Sequence, residues 1–247
     1  MTHGKVDTEG LSFRWSLADI EELNRLALRG SAEMIKVSYH AWPSLERNYT
    51  LLDAGSALGS GNGPLLISKR EYAADEVPGL TVAIPGEHTT AHFLLRYAFP
   101  EVRKKVILLF SEIENAILNG SVDAGVIIHE SRFTYEAKGL RKILDLGDQW
   151  EQRTGFPIPL GGIVAKKALG YGTIHKLNRI MKQSVLWAMG HPEETMEFVR
   201  AHAQEMDEAV MRRHIGLYVN DYTVSLGPKG REAVAKMSEV ILGRKTE

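Results

Sequence analysis

His129 is the titratable residue best placed for chemistry, because it directly follows an apolar segment at residues 124–128 that is typical of a buried strand. A neutral imidazole, whose pKa is ordinarily about 6.5, could act there as a general base. A histidine satisfied by a local hydrogen bond would show the same pattern. This segment alone favours the second interpretation and leaves the first one open.

A second candidate site lies at residues 86–91, which follow a predicted strand and begin a predicted helix. Unpaired backbone N–H groups at a helix start, with the hydroxyl groups of Thr89 and Thr90, suit a carboxylate or a phosphate. Simple helix capping by these threonines explains the pattern equally well. Lys36 interrupts an apolar strand at residues 34–38. It is either a surface charge on an edge strand or a cation that faces an acidic ligand.

Two other patterns resemble known sites but lack essential residues. His88 and His92 have the spacing of helical metal ligands, but Thr89 stands where the HExxH motif needs a glutamate, so we expect no metal site. Residues 59–63 have the spacing G-x-G-x-G, and Pro64 then leads into a strand rather than a helix. This segment predicts a structural loop, or a turn that lets the backbone approach a ligand, rather than a nucleotide fingerprint.

The composition excludes several classes of protein. The chain has 247 residues and no cysteine, which excludes a disulfide scaffold, a thiol nucleophile, a cysteine-ligated zinc site and an iron–sulfur cluster. Thirty Lys and Arg against 31 Asp and Glu argue against a general nucleic-acid binder. We find no apolar run of the roughly 18–20 residues that a membrane span needs, and no signal-peptide pattern at the start.

Strands that alternate with helices must position these residues. The predicted strands are residues 11–15, 34–38, 65–68, 81–84, 105–109, 124–128 and 160–165. The predicted helices are residues 16–30, 89–97, 111–120, 174–188, a segment that begins at 192, and residues 207–217 and 228–242. This alternation predicts an α/β fold with mostly parallel sheets and two lobes around a ligand cleft. We place the first lobe at residues 1–80, the second at 81–162, and the return to the first lobe at 163–247.

Several short motifs occur in a fixed order along the chain. They are Asp19-Ile20 with Leu23-Asn24, Lys36-Val37-Ser38-Tyr39, Leu58-Gly59 with Gly63-Pro64, Pro85-Gly86 with Thr89-Thr90-Ala91, residues 128–135, Pro157 with Pro159-Leu160-Gly161, and Tyr218-Val219-Asn220. With these motifs nearly the whole chain resembles the MqnD family, the 1,4-dihydroxy-6-naphthoate synthases of menaquinone biosynthesis through futalosine. Residues 128–135 are the most specific part of the resemblance.

The resemblance implies a two-lobed fold like that of type II periplasmic binding proteins, in a cytoplasmic enzyme. The family is a lyase that converts cyclic dehypoxanthinyl futalosine into 1,4-dihydroxy-6-naphthoate and releases the sugar-derived fragment. It implies a small-molecule substrate, with no metal, organic cofactor, nucleic acid or membrane as a partner. His129 would be the proton acceptor. The matched substrate contacts would be Lys36, Val37, Ser38, Thr89, Thr90 and Ala91.

One departure and several alternatives accompany the resemblance. The family's N-terminal strand and its Ser-Pro-Cys-Pro-Asn-Asp-type loop, roughly 20 residues, have no match, so we expect the first lobe to lack one strand and a loop beside the cleft. A solute-binding protein of the same fold and the related chorismate dehydratase are the alternative functions. Tyr218 and Asn220 either reach the ligand or only pack.

Overall fold

Two β-sheets, each covered by helices, make up the computed structural model, which describes Met1 and residues 3–203 and 207–243. The strands are β1 (Met34–Ser38), β2 (Tyr49–Leu51), β3 (Ala57–Gly59), β4 (Leu65–Ser68), β5 (Val82–Ile84), β6 (Lys105–Ile107), β7 (Ala124–Ile127), β8 (Arg141–Asp145) and β9 (Ile158–Lys166). The helices are α1 (Ile20–Leu28), α2 (Trp42–Leu45), α3 (Thr90–Ala98), α4 (Ile113–Leu118), α5 (Leu146–Thr154), α6 (Tyr171–Gly190), α7 (Pro192–His202), α8 (Glu208–Tyr218), α9 (Asp221–Val224) and α10 (Gly227–Ile241).

The first lobe is built around β9, which pairs antiparallel with β1, β2 and β3. Helices α6 and α10 pack against β9. Glycine is required at Gly161, because a Cβ atom there would lie 2.8 Å from the carbonyl oxygen of Val37 on β1. The close approach of these two strands shapes the floor of the cleft.

The second lobe contains a five-stranded sheet in the order β6-β5-β7-β4-β8. Strand β5 runs parallel to β6 and β7, whereas β4 runs antiparallel to β7 and β8. Strands β4, β5 and β7 are buried along their whole length, which explains their continuous apolar sequences. Strand β7 ends at Ile127, and His129 lies two residues beyond its carboxyl end.

The largest core cluster joins the two lobes. It includes Tyr39 and Leu58 from the first lobe and Leu66, Leu94 and Trp150 from the second. The Trp150 side chain is completely buried. This shared core lies beneath the cleft and holds the two lobes together in the closed arrangement of the structure.

Most of the predicted elements are present, and the start of the chain differs most from the prediction. Residues 11–15 form no strand, and the first helix begins at Ile20 rather than after Ser16. Asp19 is the N-cap residue, since its Oδ1 accepts a 2.8 Å hydrogen bond from the backbone N–H of Glu21. A carboxylate cap three residues later therefore replaces the predicted serine cap.

The two-lobed α/β architecture with mixed sheets is confirmed, but the predicted excess of parallel pairing is wrong. Every pairing of β9 and both pairings of β4 are antiparallel, and only the two pairings of β5 are parallel. The physical reason is that the chain forms β9 on its return from the second lobe, so β9 runs in the direction opposite to β1, β2 and β3. Alternation along the sequence does not reveal this direction.

The predicted lobe boundaries at 80/81 and 162/163 both come too late. Strand β4 already belongs to the second sheet, and β9 already belongs to the first sheet at Ile158. The chain therefore crosses between the lobes after Gly59 and again after α5. In the described part of the chain, no helix combines the length and the apolar character needed to cross a lipid bilayer.

Candidate active site

A cavity of about 130 Å³ lies between the lobes, where β1, β3 and β9 face the start of α3, the end of β7 and helix α8. Five of the six predicted substrate contacts and the predicted base line it: Lys36, Ser38, Thr89, Thr90, Ala91 and His129. Val37 does not line the cavity, because strand alternation points its side chain into the core of the first lobe. The two candidate sites of the sequence are thus one site.

The His129 backbone has a left-handed conformation, with φ of 59°. Such a conformation at a residue other than glycine costs about 1–3 kcal/mol and persists where surrounding structure imposes it. The ring lies edge-on to Phe110, with centroids 4.8 Å apart. Among the described residues, neither imidazole nitrogen has a hydrogen-bond partner. The structure therefore favours an imidazole that is available for chemistry over one satisfied locally.

The His129 imidazole is neutral over the whole physiological pH range. Burial, the nearby positive charge of Lys36 and the neighbouring His214 lower its pKa to about 3. The lone pair that a general base needs is consequently present at neutral pH.

Lys36 is the cation of the cavity. Its side chain stays open to the cleft, but the surrounding protein lowers the pKa of its amino group. Within the described ranges it forms no ion pair. Although β1 is an edge strand, Lys36 lines the cavity, so its positive charge faces the cleft.

The start of α3 combines helix capping with unsatisfied donors. Thr89 is the N-cap, since its Oγ1 accepts from the backbone N–H of His92 at 3.2 Å. Thr90 Oγ1 donates to the carbonyl oxygen of Leu160 at 2.8 Å and so connects the lobes. The backbone N–H groups of Thr90 and Ala91 have no partner among the residues described. These amides, rather than the hydroxyl groups, are the donors left for an anion.

Helix α1 positions both segments that are predicted to contact the substrate. The Asn24 side chain accepts from the backbone N–H of Ser38 at 2.8 Å and donates to its Oγ at 3.0 Å. This arrangement leaves the hydroxyl hydrogen of Ser38 for a ligand. The buried carboxylate of Glu21 accepts from the backbone N–H of His88 at 2.9 Å and fixes the loop before α3. Within the Leu23-Asn24 motif of the sequence, Asn24 thus holds Ser38 in position.

Sequence reasoning missed His214, which α8 brings into the cavity. Its ring centroid lies 6.1 Å from that of His129 and 4.6 Å from that of Tyr218. Burial lowers the pKa of His214, while the charge of Glu130 opposes this shift. No local pattern marks His214, because it lies on an ordinary amphipathic helix far from His129 in the sequence.

The question left open for Tyr218 and Asn220 has a different answer for each residue. Tyr218 lines the cavity, and burial raises its pKa to about 12, so its hydroxyl group remains a donor. Asn220 instead caps α9 by accepting from the backbone N–H of Tyr222 at 2.9 Å, and it donates to the carbonyl oxygen of Leu58 at 2.9 Å. Asn220 is therefore a packing residue.

The histidine pair at the start of α3 does not converge on a metal. His88 Nδ1 lies 2.9 Å from Glu21 Oε1, and His92 Nδ1 lies 2.8 Å from the carbonyl oxygen of Glu87. Beside the cavity, one possible ligand atom from each of His129, Glu130 and His214 lies within 4.8 Å of the other two. The positive charge of Lys36, which lowers the pKa of both cavity histidines, disfavours a cation at that place.

Comparison with known proteins supports one family. A family model described as menaquinone biosynthesis matches residues 1–241. A protein of Thermus thermophilus named 1,4-dihydroxy-6-naphtoate synthase is 42% identical over 237 residues, which cover 96% of this chain and 86% of that protein. A protein of Streptomyces coelicolor with the same name is 44% identical over 239 residues, covering 95% of this chain and 84% of that protein.

Solved structures give the same fold. A crystal structure of a protein from Archaeoglobus fulgidus superimposes with a TM-score of 0.91 at 35% identity and covers 98% of this chain and 90% of its own. The alkanesulfonate-binding protein of Xanthomonas axonopodis pv. citri superimposes with a TM-score of 0.62 at 12% identity, over 92% of this chain and 81% of its own. The second likeness shows only the fold, which is that of a two-lobed binding protein.

Proposed function

Since the chain belongs to the menaquinone-biosynthesis family, we propose that it is a 1,4-dihydroxy-6-naphthoate synthase that acts on cyclic dehypoxanthinyl futalosine with His129 as the general base. One observation carries the proposal: a neutral imidazole without a hydrogen-bond partner among the described residues faces the same cavity as Lys36. The reaction is a carbon–carbon cleavage, which makes the protein a lyase, and we place it in the cytoplasm as the family resemblance implies.

The anion-binding groups would orient the substrate through its carboxylate. Lys36 supplies a positive charge, and the backbone N–H groups of Thr90 and Ala91 supply hydrogen bonds at the positive end of α3. The hydroxyl group of Ser38 supplies a further donor. These groups come from both lobes, so a bound carboxylate would favour the closed arrangement.

His129 would remove a proton from the cyclised sugar and so begin carbon–carbon cleavage, which the aromaticity of the product assists. A pKa of about 3 makes the free imidazole a weak base. Burial is the main cause of this low pKa, and a carboxylate bound to Lys36 would neutralise the positive charge that lowers it further. Substrate binding would therefore raise the basicity of His129 toward the range where general bases are most effective.

Substrate entry would require the lobes to separate. The cavity of about 130 Å³ is smaller than the pockets of about 300–1,000 Å³ that usually contain ligands. Separation would break the contact between Thr90 and Leu160, and closure would reform it and exclude water.

The test is direct conversion. The purified protein is incubated with cyclic dehypoxanthinyl futalosine, and the naphthoate is followed by absorbance and mass. We expect naphthoate and the sugar-derived fragment in equal amounts. Binding of this compound without turnover would instead identify a solute-binding protein, and consumption of chorismate without naphthoate would identify a chorismate dehydratase. Either result overturns the proposal.

A further inference from the structure

The glycine-rich segment between β3 and β4 is anchored to the second lobe. The backbone N–H of Gly61 donates to Glu151 Oε1 at 2.8 Å, and the guanidinium of Arg132 donates to the carbonyl oxygen of Gly63. The backbone N–H of Leu146 donates to the carbonyl oxygen of Pro64 at 3.0 Å. These contacts, on both sides of Asn62, fix the position of that residue at the cavity wall.

Asn62 is a buried amide without a partner in the described part of the chain. Its side chain is 1% exposed and lines the cavity, and neither Oδ1 nor Nδ2 makes a hydrogen bond. A Cβ atom on residue 59 would lie 2.8 Å from Asn62 Nδ2, so glycine at Gly59 leaves room for the amide in this orientation. Burial of an amide without hydrogen bonds is unfavourable, which indicates a group retained for a ligand.

Two other buried or half-buried amides near the cavity show the usual arrangement. Asn24 uses both its amide oxygen and its amide nitrogen on Ser38, and Asn220 uses both on Tyr222 and Leu58. The fold therefore satisfies these side chains internally. Asn62 differs from them because it lines the cavity and neither of its polar atoms has a partner in the described part of the chain.

We propose that Asn62 binds the sugar-derived hydroxyl groups of the substrate and selects for them. A hydroxyl group can donate to Oδ1 while its neighbour accepts from Nδ2, so a pair of hydroxyl groups satisfies both ends of the amide. A carboxylate has no hydrogen to donate to Oδ1, and it fits Lys36 and the start of α3 better. This assignment rests on the proposed function, and it orients the substrate with its hydroxyl groups at Asn62 and its carboxylate at Lys36.

The experiment compares two alanine variants, Asn62→Ala and the matched control Asn220→Ala, with the wild type. The probes are cyclic dehypoxanthinyl futalosine and 1,4-dihydroxy-6-naphthoate, which lacks the sugar-derived fragment. For Asn62→Ala we expect KM for the first compound to rise about 10- to 100-fold, through the loss of two hydrogen bonds. We expect Kd for the naphthoate to stay unchanged and Tm to stay equal or rise, because no internal hydrogen bond is lost.

Asn220→Ala should show the opposite combination, with a lower Tm and an unchanged preference between the two compounds. An Asn62→Ala protein that binds both compounds as the wild type does, or loses affinity for both equally, overturns the role assigned to Asn62. That result leaves the proposed function unaffected. A wild-type protein that neither binds nor converts cyclic dehypoxanthinyl futalosine overturns the proposed function and this assignment with it.

Discussion

Two pairs of histidines lie at the junction of the lobes, and they resemble each other closely. The ring centroids of His40 and His92 are 6.2 Å apart, and those of His129 and His214 are 6.1 Å apart. Burial lowers the pKa of all of these histidines. A depressed pKa and a neighbouring imidazole therefore do not distinguish a catalytic pair from a structural one.

Access to the cavity is what separates the pairs. His40 stacks on Phe93 with centroids 5.5 Å apart, and neither His40 nor His92 lines the cavity. His129 and His214 both line it, and Lys36 lies near enough to lower the pKa of each. We therefore call His40 and His92 the packed pair, and His129 and His214 the cavity pair.

The sharpest test of this difference replaces one histidine of each pair. We expect His129→Ala to lower kcat/KM by about 10²- to 10⁴-fold, the usual contribution of a general base, with Tm little changed because the imidazole makes no hydrogen bond among the described residues. His92→Ala should retain kcat and lower Tm, because His92 Nδ1 lies 2.8 Å from the carbonyl oxygen of Glu87. Turnover with the synthase substrate and thermal unfolding are measured for both. Wild-type turnover by His129→Ala would remove it as the base.

Lys36→Met should affect the cavity pair alone. We expect KM to rise about tenfold through the loss of a charge-assisted contact with the carboxylate. Removal of a positive charge stabilises the protonated imidazole, so the pKa of free His129 should rise from about 3. The acidic limb of the kcat/KM profile should then move to higher pH. The exposed Lys142 on β8 provides the control, since Lys142→Met should change neither KM nor this limb. If the acidic limb of the kcat/KM profile does not move in Lys36→Met, then the charge of Lys36 does not lower the pKa of His129.

His214→Ala should give a smaller loss of activity than His129→Ala. A contact between aromatic rings contributes about 0.5–1.5 kcal/mol, which corresponds to roughly a 2- to 10-fold decrease in kcat/KM. The structural reason is that His214 packs between His129 and Tyr218 and keeps the base in place. Steady-state kinetics of His214→Ala and His129→Ala, measured under the same conditions, give the difference in kcat/KM. Equal losses for the two variants would show that His214 takes part in proton transfer itself.

The smallest effect concerns acid stability, where the two pairs should behave alike. The folded pKa of His40 is lowered to about 4 from an ordinary 6.5, so the unfolded chain binds more protons between these values. The free energy of unfolding therefore falls as the pH drops through this window. The contribution of His40 to stability is fully present only above about pH 6.5. We expect Tm to fall on acidification and His40→Leu to reduce that fall without changing kcat at neutral pH. If Tm falls as steeply on acidification in His40→Leu as in the wild type, His40 is excluded as the source of this fall.

Local sequence patterns determined much of the fold. The apolar run before His129 predicted β7, and the Thr89-Thr90 segment predicted the start of α3, because both depend on neighbouring residues. The prediction failed at residues 11–15, where alternating Leu11, Phe13 and Trp15 form no strand. Period-2 alternation marks only a tendency, and a strand exists only where another strand provides its hydrogen bonds.

The sequence by itself determined which residue types are available: a histidine at a strand end, a lysine within an apolar strand and a helix start rich in donors. The tertiary structure alone decided that they share one cavity with His214 and Asn62, which lie far from His129 along the chain. It also decided that His40 and His92 are packed while His129 lines the cavity. The physical reason is that strand and helix patterns depend on near neighbours, whereas burial, pKa and access depend on segments that β9 and α8 bring together when the chain returns to the first lobe.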